Sequence, residues 1–417
     1  MTRLKRAAWR CTAAASLLAL GASASLAGER LWISLGDDAY RLLRAAQPQV
    51  VSVTEVEVPV RVGRLGATAQ ERVHVVRVDE DWLPALSDAV HRDLHRCGGF
   101  IVHDSLGSAR EAVQQVRQRA LQPEAVAGST YLINQQALVQ PMVAAVQDSL
   151  VLQTIDSLSA IQNRYYTTSH GVNASNTIAA QWAALAAGRS DVSVSQFSHP
   201  SWPQKSVILT IQGAEKPKQH VILGGHLDSI LSGGTTENSR APGADDDASG
   251  IASLTEALRV LLASGHRPKR TIQFMAYAAE EVGLRGSSAI AADYLAKSRK
   301  VTGVLQLDMT NYKGGTKDIY LYTDYTSAAQ NDFVARLAAT YLPELTVSTD
   351  RCGYACSDHA SWFNRGYPAS FPFESDFNHH SPFIHTSNDT LANSGNQAAH
   401  AAKFAKLAVA FAVELAN

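Results

Sequence analysis

The sequence predicts an α/β protein with a mixed, mostly parallel central sheet flanked by helices, preceded by a small α+β unit. Three observations carry this. From about Leu138 onward, continuous apolar runs alternate with stretches of helical periodicity, the pattern of strands covered on both faces. Before residue 130 the runs at 49–62 and 71–78 alternate or are β-branched and read as strands of a different, smaller unit. Between the two, residues 122–129 hold Pro123, Gly128 and Ser129 with little periodicity and read as a linker.

Taken in order, the first segment is an address and not part of the fold. Arg3, Lys5, Arg6 and Arg10 form a basic start, Ala13 to Ala22 is apolar, and Ser25-Leu26-Ala27 places small residues at the −3 and −1 positions. Residues 1–27 are therefore expected to be a secretory signal peptide, too short to span a bilayer, directing the chain to the periplasm or the extracellular medium. The Ala-Trp-Arg before Cys11 is not an apolar lipobox. Residues 28–129 form the α+β unit. Its helices are expected over Trp82–His95, where Leu83, Leu86, Val90 and Leu94 recur at helical spacing, and from Ser108, with Glu111 completing a capping box. A strand is expected at Phe100-Ile101-Val102.

Residues 130–417 carry the larger unit. Helical periodicity covers Met142–Arg164, Ala174–Ala187, Ser249–Ser264 and Asn331–Thr340. Apolar strands are expected at Ser206–Ile211, Val221–Gly224, Thr271–Tyr277, Val304–Met309 and Ile319–Tyr322. A formal net charge of −1 and 18% charged residues favour neither nucleic acid nor an anionic membrane as partner. No later segment is a transmembrane candidate, and a monomer is expected. Of four cysteines, Cys352 and Cys356 lie close enough in sequence for a small disulfide loop, and no further Cys or His is spaced to make them a zinc pair.

The chemistry lies in polar islands at the C-terminal ends of the apolar strands, the edge where open α/β sheets bind ligands. They are Gly225-His226-Leu227-Asp228, Asp245-Asp246-Asp247-Ala248-Ser249-Gly250, Glu280-Glu281 and Asp308, with His385-Thr386-Ser387-Asn388-Asp389 near the C-terminus. Each has a bland explanation on its own. A lone histidine after a strand is more often structural than a ligand, and Asp245–Asp247 before a helix suits an N-cap. Glu280-Glu281 suits a solvated helix start. Asp308 is harder to dismiss, because a charge ending the run Val304–Leu307 is costly to bury unpaired. Together they supply two histidines and several carboxylates without thiolate, a donor set for catalytic zinc. A serine hydrolase is disfavoured, since no Gly-x-Ser-x-Gly elbow follows a strand.

With these islands in view, the sequence resembles the secreted bacterial leucyl aminopeptidases, co-catalytic dizinc enzymes of the zinc-exopeptidase fold. The matching stretches are GGHLDS (224–229), APGADDDASG (241–250), FMAYAAEEVGLRGS (274–287), QLDMTNYKG (306–314), CGYACSDHASW (352–362) and HTSNDTLANS (385–394). The resemblance covers about Leu138 to Asn417. It implies two Zn2+, with Asp246 bridging, His226 and Asp308 completing one site, and Glu281 and His385 the other. It further implies Glu280 as general base, Asp228 as the carboxylate that orients His226, and Tyr354 as a hydrogen-bond donor to the tetrahedral intermediate. A cis peptide between Asp246 and Asp247 is also implied. The pocket for the N-terminal side chain of a peptide with a free amino end would include Met309, Cys352, Tyr354, Cys356, Phe371, Phe373, Phe377 and Ile384, suiting leucine and other large apolar residues. Tyr322 and His380 are more polar than the family leads one to expect. By the same resemblance residues 28–129 stand where the family has a propeptide that assists folding and restrains activity, with Arg117 and Arg119 bordering the linker for a processing protease. The rival activities on the same fold are a one-zinc glutaminyl cyclase and a carboxypeptidase; a degenerate binding domain is disfavoured, because Glu280 and all five ligands are present.

Overall fold

The computed structural model describes residues 29–62, 67–94, 96, 98–121 and 131–417. Residues 1–27, expected to be a signal peptide, Cys97 and the expected linker at 122–129 lie outside the described residues.

The chain opens with elements that periodicity did not reveal, strand β1 (Arg30–Gly36) and helix α1 (Asp37–Ala46). Then come β2 (Thr54–Val62), β3 (Ala67–Asp79), α2 (Leu83–Leu94), β4 (Phe100–His103) and α3 (Leu106–Leu121). These strands form one sheet in the order β2-β3-β1-β4, antiparallel throughout. Helix α3 starts earlier than expected. Its cap is Ser105, whose Oγ accepts from Ser108 N while Ser108 Oγ accepts from Ser105 N, each at 3.1 Å. Ser108 thus plays the return half of a capping box, and Glu111 instead accepts from Gln115 one turn on.

In the larger part the helix expected over Met142–Arg164 is broken into α4 (Gln136–Ala144) and α5 (Asp148–Ser159). The break is held from outside. Gln147 N donates to Glu256 Oε1 at 2.7 Å, and Arg259 donates to Ala145 O at 2.8 Å, so backbone groups lost to the helix ladder are recovered. Next follow α6 (Ser169–Leu185), β5 (Val192–Phe197), β6 (Ser206–Ile211), β7 (Lys216–His226), α7 (Ala248–Ala263), β8 (Arg270–Tyr277) and α8 (Arg285–Ala296). The chain ends with β9 (Lys300–Gln306), β10 (Ile319–Tyr322), α9 (Ala328–Tyr341), β11 (Val347–Asp350), α10 (His359–Phe363), β12 (Ala369–Phe373) and α11 (Ala399–Ala416).

Eight strands make one sheet in the order β11-β10-β12-β9-β7-β8-β6-β5. Its centre, β12-β9-β7-β8, is parallel, and antiparallel pairs appear only between β12 and β10 and from β8 outward to β5. This is the mixed, mostly parallel sheet flanked by helices. One face is covered by α4, α5, α6, α7, α9 and α11, whose apolar residues share a cluster with Val221, Leu223, Ile272 and Phe274. Trp182, fully buried there, donates its Nε1 to Thr255 Oγ1 at 2.9 Å. The other face is covered by α8 and by Trp362 of α10, which donates to Tyr277 Oη at 2.9 Å. No described helix is long and apolar enough to cross a membrane.

The N-terminal sheet does not keep its core to itself. Ile33, Leu35, Val90 and Phe100 share a cluster with Tyr165, Tyr166, Ile230, Ala279 and Val282; Val56, Val75 and Val113 share another with Leu284, Tyr354 and Ala360. Strand β4 runs so close to Gly283, at φ 101, that a Cβ there would come within 2.7 Å of Phe100 and Val102. Val102 N donates to Gly283 O at 3.1 Å.

Candidate metal centre

Three adjacent parallel strands deliver the site. His226 is the last residue of β7, Glu280 and Glu281 follow β8, and Asp308 follows β9. Strands in register end together, so side chains far apart in sequence meet at one edge. Asp246 comes from the loop before α7, and His385 from the loop between β12 and α11.

These residues converge while buried. His226 Nε2 lies 2.9 Å from Asp246 Oδ1 and 3.5 Å from Asp308 Oδ1; His385 Nε2 lies 3.2 Å from Asp246 Oδ2 and 2.8 Å from Glu281 Oε2. Asp246 therefore stands between the two histidines, as expected of a bridging ligand. Glu280 Oε1 and Glu281 Oε1 are buried without hydrogen-bond partners, while Asp246 Oδ2, Glu281 Oε2 and Asp308 Oδ1 face only the two imidazoles, in contacts that leave them unsatisfied. A fold seldom buries so many lone pairs together unless something else satisfies them, and imidazole with carboxylate is the donor set that suits zinc. The residues fit the metal.

Asp247 also falls within ligating distance of His226 and Asp308. Its oxygens are already committed, accepting from His226 N, Gly250 N and Met309 N. It is the N-cap of α7, so the N-cap explanation applies to Asp247 and not to its neighbour. The Asp246–Asp247 peptide is cis, as the resemblance implied.

Electrostatics point the same way. Burial drives the Glu280 carboxyl well above its usual range and Glu281 up to about 7, against the pull of His385. Burial opposes charge on His385, yet Glu281 and Asp246 push it up to about 10. His226 is likewise raised by Asp308 and Glu280 in spite of burial. Carboxylates packed this way call for positive charge among them, which a dication supplies.

The supports are equally specific. Asp228 receives the His226 Nδ1 contact through its backbone oxygen at 3.1 Å and through Oδ1 at 3.6 Å. Its two carboxylate oxygens also accept from the backbone N of Glu280 and Glu281, at 3.0 and 3.2 Å. One side chain thus contacts both His226 and the backbone that carries Glu280 and Glu281. The glutamates lie past the strand end, after Ala279 at φ 56, rather than in extended backbone. Met309 (φ 53) and His385 (φ 56) share this left-handed region, which disfavours side-chain-bearing residues and clusters at functional sites.

Several supporting residues were not singled out from the sequence. Asp389 accepts from the backbone N of Asp245 and Asp246, Ser357 Oγ donates to Asp308 Oδ2 at 2.6 Å, and fully buried Arg164 donates to the carbonyls of Leu227, Pro242 and Gly243. The first two lie inside quoted motifs and could have been found. Arg164 lay in a stretch read as helix, where nothing marked it.

Most of the residues expected to line the side-chain pocket lie together. Met309, Cys352, Cys356, Phe371, Phe373 and Ile384 form one apolar cluster with half-buried Phe377 against it, and Tyr320 and Tyr322 join them. Tyr322 faces Ser375 O at 3.4 Å, and His380 Nδ1 contacts Phe377 O at 2.6 Å. Cys352 and Cys356 are disulfide-bonded. Tyr354 departs from the group. It packs in the cluster built with the N-terminal sheet and donates its hydroxyl to Ser34 Oγ at 3.1 Å, while Ser34 Oγ also lies 2.8 Å from His103 Nε2.

Comparison with known proteins agrees with the geometry. The family profile described as peptidase family M28 matches residues 206–410. A probable leucine aminopeptidase of Trichophyton verrucosum is 37% identical over 67% of this chain and 74% of its own length, and a probable aminopeptidase of Saccharomyces cerevisiae is 32% identical over 68% and 77%. Among solved structures, the aminopeptidase LapA of Legionella pneumophila superposes with a TM-score of 0.73 at 28% identity, over 93% of this chain and 99% of that one. LapB of the same organism gives 0.74 at 29%, over 93% and 100%. Ligand-bearing strands, buried unsatisfied donors and relatives across most of the chain converge on one conclusion: this chain belongs to peptidase family M28, as an aminopeptidase.

Proposed function

We propose that the chain is the precursor of an exported aminopeptidase that removes leucine or another large apolar residue from the N-terminus of peptides, with Glu280 as general base. The observation that carries this is the buried meeting of His226, Asp246, Glu281, Asp308 and His385 around oxygens with no other partner. Two zinc ions held by these five residues, Asp246 shared, would polarise the scissile carbonyl and activate the attacking water.

The protein's own groups do the rest. Glu280, buried and held by Asp228 through its backbone N, takes the proton from the attacking water and hands it to the leaving amine. The apolar cluster of Met309, Phe371, Phe373, Phe377 and Ile384 receives the side chain. Acidic ligands beside it attract a free α-amino group, which restricts cleavage to the first bond. Tyr354 would donate to the oxyanion, but in the precursor its hydroxyl is spent on Ser34. The ring of His91 of α2 lies against that of His385, tilted by 39° with centroids 4.4 Å apart. Both contacts support residues 28–129 as a propeptide that holds the enzyme latent until it is cut in the linker at 122–130.

The test is hydrolysis of leucine p-nitroanilide by the full chain, before and after limited proteolysis, with and without a chelator, beside the N-acetylated substrate and Glu280→Ala. Chelator-sensitive cleavage of the free-amine substrate alone, raised by proteolysis and lost in the variant, is the expected result. No cleavage in any form after zinc addition would overturn the reading.

A further inference from the structure

Around the site, beside the backbone bond from Val102 N to Gly283 O, three side chains of the N-terminal unit meet side chains of the catalytic part. Two have been described: His91 on the ligand His385, and Ser34 on the hydroxyl of Tyr354. The third is an ion pair. Glu80, in the turn after β3, places Oε1 2.6 Å from Arg285 Nη1. Arg285 is no ordinary surface arginine. Its exposure is 7%, and its guanidinium carbon lies 4.4 Å from the ring centroid of Trp202 and 5.8 Å from that of Tyr166. Its backbone N donates to Ala279 O at 3.0 Å, closing the loop that carries Glu280 and Glu281.

The wall behind it is fixed. Trp202 stacks on His199 at 4.6 Å, His199 Nε2 meets Ser206 Oγ at 2.9 Å, and Ala278 N donates to that same Oγ at 3.0 Å. The indole Nε1 of Trp202 is buried and meets no acceptor among the described residues. When the N-terminal unit leaves, Glu80 leaves with it. A guanidinium flanked by two aromatic faces then stands beside the catalytic loop without its carboxylate.

We propose that Arg285, with Trp202 and Tyr166, is a subsite for a carboxylate on the leaving portion of the peptide, and that Glu80 is its stand-in within the precursor. This rests on the function proposed above, in which the N-terminal unit covers the substrate face. Planar guanidinium and carboxylate make strong charge-assisted hydrogen bonds, and the aromatic walls exclude competing water. A substrate carboxylate takes the place Glu80 vacated and gains a charge-assisted contact where a neutral group does not. The ligand class is a peptide with a carboxylate a short way beyond the scissile bond: the free C-terminus of a short peptide, or an Asp or Glu side chain in a longer one.

The experiment uses the full chain nicked in the linker and digested until the N-terminal unit is gone, with activity on leucine p-nitroanilide as reference and as proof that the remainder is folded. kcat/KM is measured for Leu-Leu, Leu-Leu-Leu and Leu-Leu-Leu-Leu as free acids and as C-terminal amides, and for Leu-Asp-amide and Leu-Leu-Asp-amide. The expected result is a preference of about tenfold for the acid over the amide at one length, which corresponds to about 1.4 kcal/mol. Arg285→Gln should bring that ratio to about one, and Arg285→Lys should keep part of it. The Asp-amides tell whether a side-chain carboxylate serves as well as the terminus. A ratio near one at every length in the unsubstituted enzyme overturns the proposal, and that comparison needs no variant to fold. A preference surviving in Arg285→Gln overturns it as well. Failure to cleave leucine p-nitroanilide would instead remove the parent reading, and this subsite with it.

Discussion

At the scale of single residues, the site depends on side chains whose polar atoms have nowhere else to go. Glu280 is buried with Oε1 unsatisfied, and its backbone N is tied to Asp228. Glu280→Gln keeps the shape and removes the base, so kcat should fall by about 10²–10⁴ while bound zinc, measured by atomic absorption, stays as in the parent. Equal loss of zinc and activity would make Glu280 a ligand instead. Tyr354 gives a second prediction. Once residues 28–129 are removed, Tyr354→Phe should lower kcat by about 10²–10³ with little change in KM, the behaviour of a donor used only in the transition state. In the intact chain the same substitution removes a bond to Ser34 and should loosen the N-terminal unit, read as faster proteolysis of the linker.

At the scale of elements, the contact between β3 and the loop before α10 is sensitive to pH. Glu71 of β3 is pushed up to about 7, first by burial and then by Asp324 and Asp38, against Arg96 and Arg351. An acid whose folded pKa is raised adds its full stabilisation below the unfolded value of 4.5, and that stabilisation disappears as pH rises through about 7. The full chain should therefore lose thermal stability between those limits. Glu71→Gln should flatten that part of the profile, raising Tm at pH 8 by about 2–4 °C for each kcal/mol recovered and changing little at pH 4.5. A variant that follows the parent curve at every pH would show that Glu71 stays solvated. The cap of α3 belongs to this scale too. Ser105 and Ser108 satisfy each other's backbone N–H, so Ser105→Ala should cost about 1 kcal/mol in chemical unfolding.

At the scale of the whole molecule, the metal centre ties the sheet to loops from distant parts of the chain. Asp389 holds the backbone of Asp245 and Asp246, Ser357 holds Asp308, and Arg164 holds the carbonyls on either side of this network. Ions bound only by the folded protein stabilise it in proportion to the logarithm of their free concentration. Dialysis against a chelator should lower Tm, and zinc should restore it in the parent and in Glu280→Gln alike. An unchanged Tm would mean that the loops hold one another without the ions. The N-terminal unit is bound into the same whole through two apolar clusters, so cutting the linker alone should leave the pieces associated until the interface is loosened or digested.

Much of this was legible in the sequence. The apolar strands at 206–211, 271–277 and 319–322 appear as read, and the polar islands do fall at the C-terminal ends of β7, β8 and β9. Those islands identify the ligands because a charged residue ending an apolar run must find a partner, whatever the details of the fold. Local pattern failed where distant groups decide. The α4–α5 break is held by Glu256 and Arg259 of α7, and the start of α3 by a serine pair that mimics a glutamate cap. By itself the sequence determined most of the sheet and the polar islands at its edge, since these follow from hydrophobic period and donor chemistry along the chain. Only the tertiary structure decided that Asp247 caps while Asp246 faces the histidines, and that Ser34, His91 and Glu80 meet Tyr354, His385 and Arg285. Those pairings join residues far apart in the chain, and their energies arise from burial and distance, which no local stretch of sequence encodes.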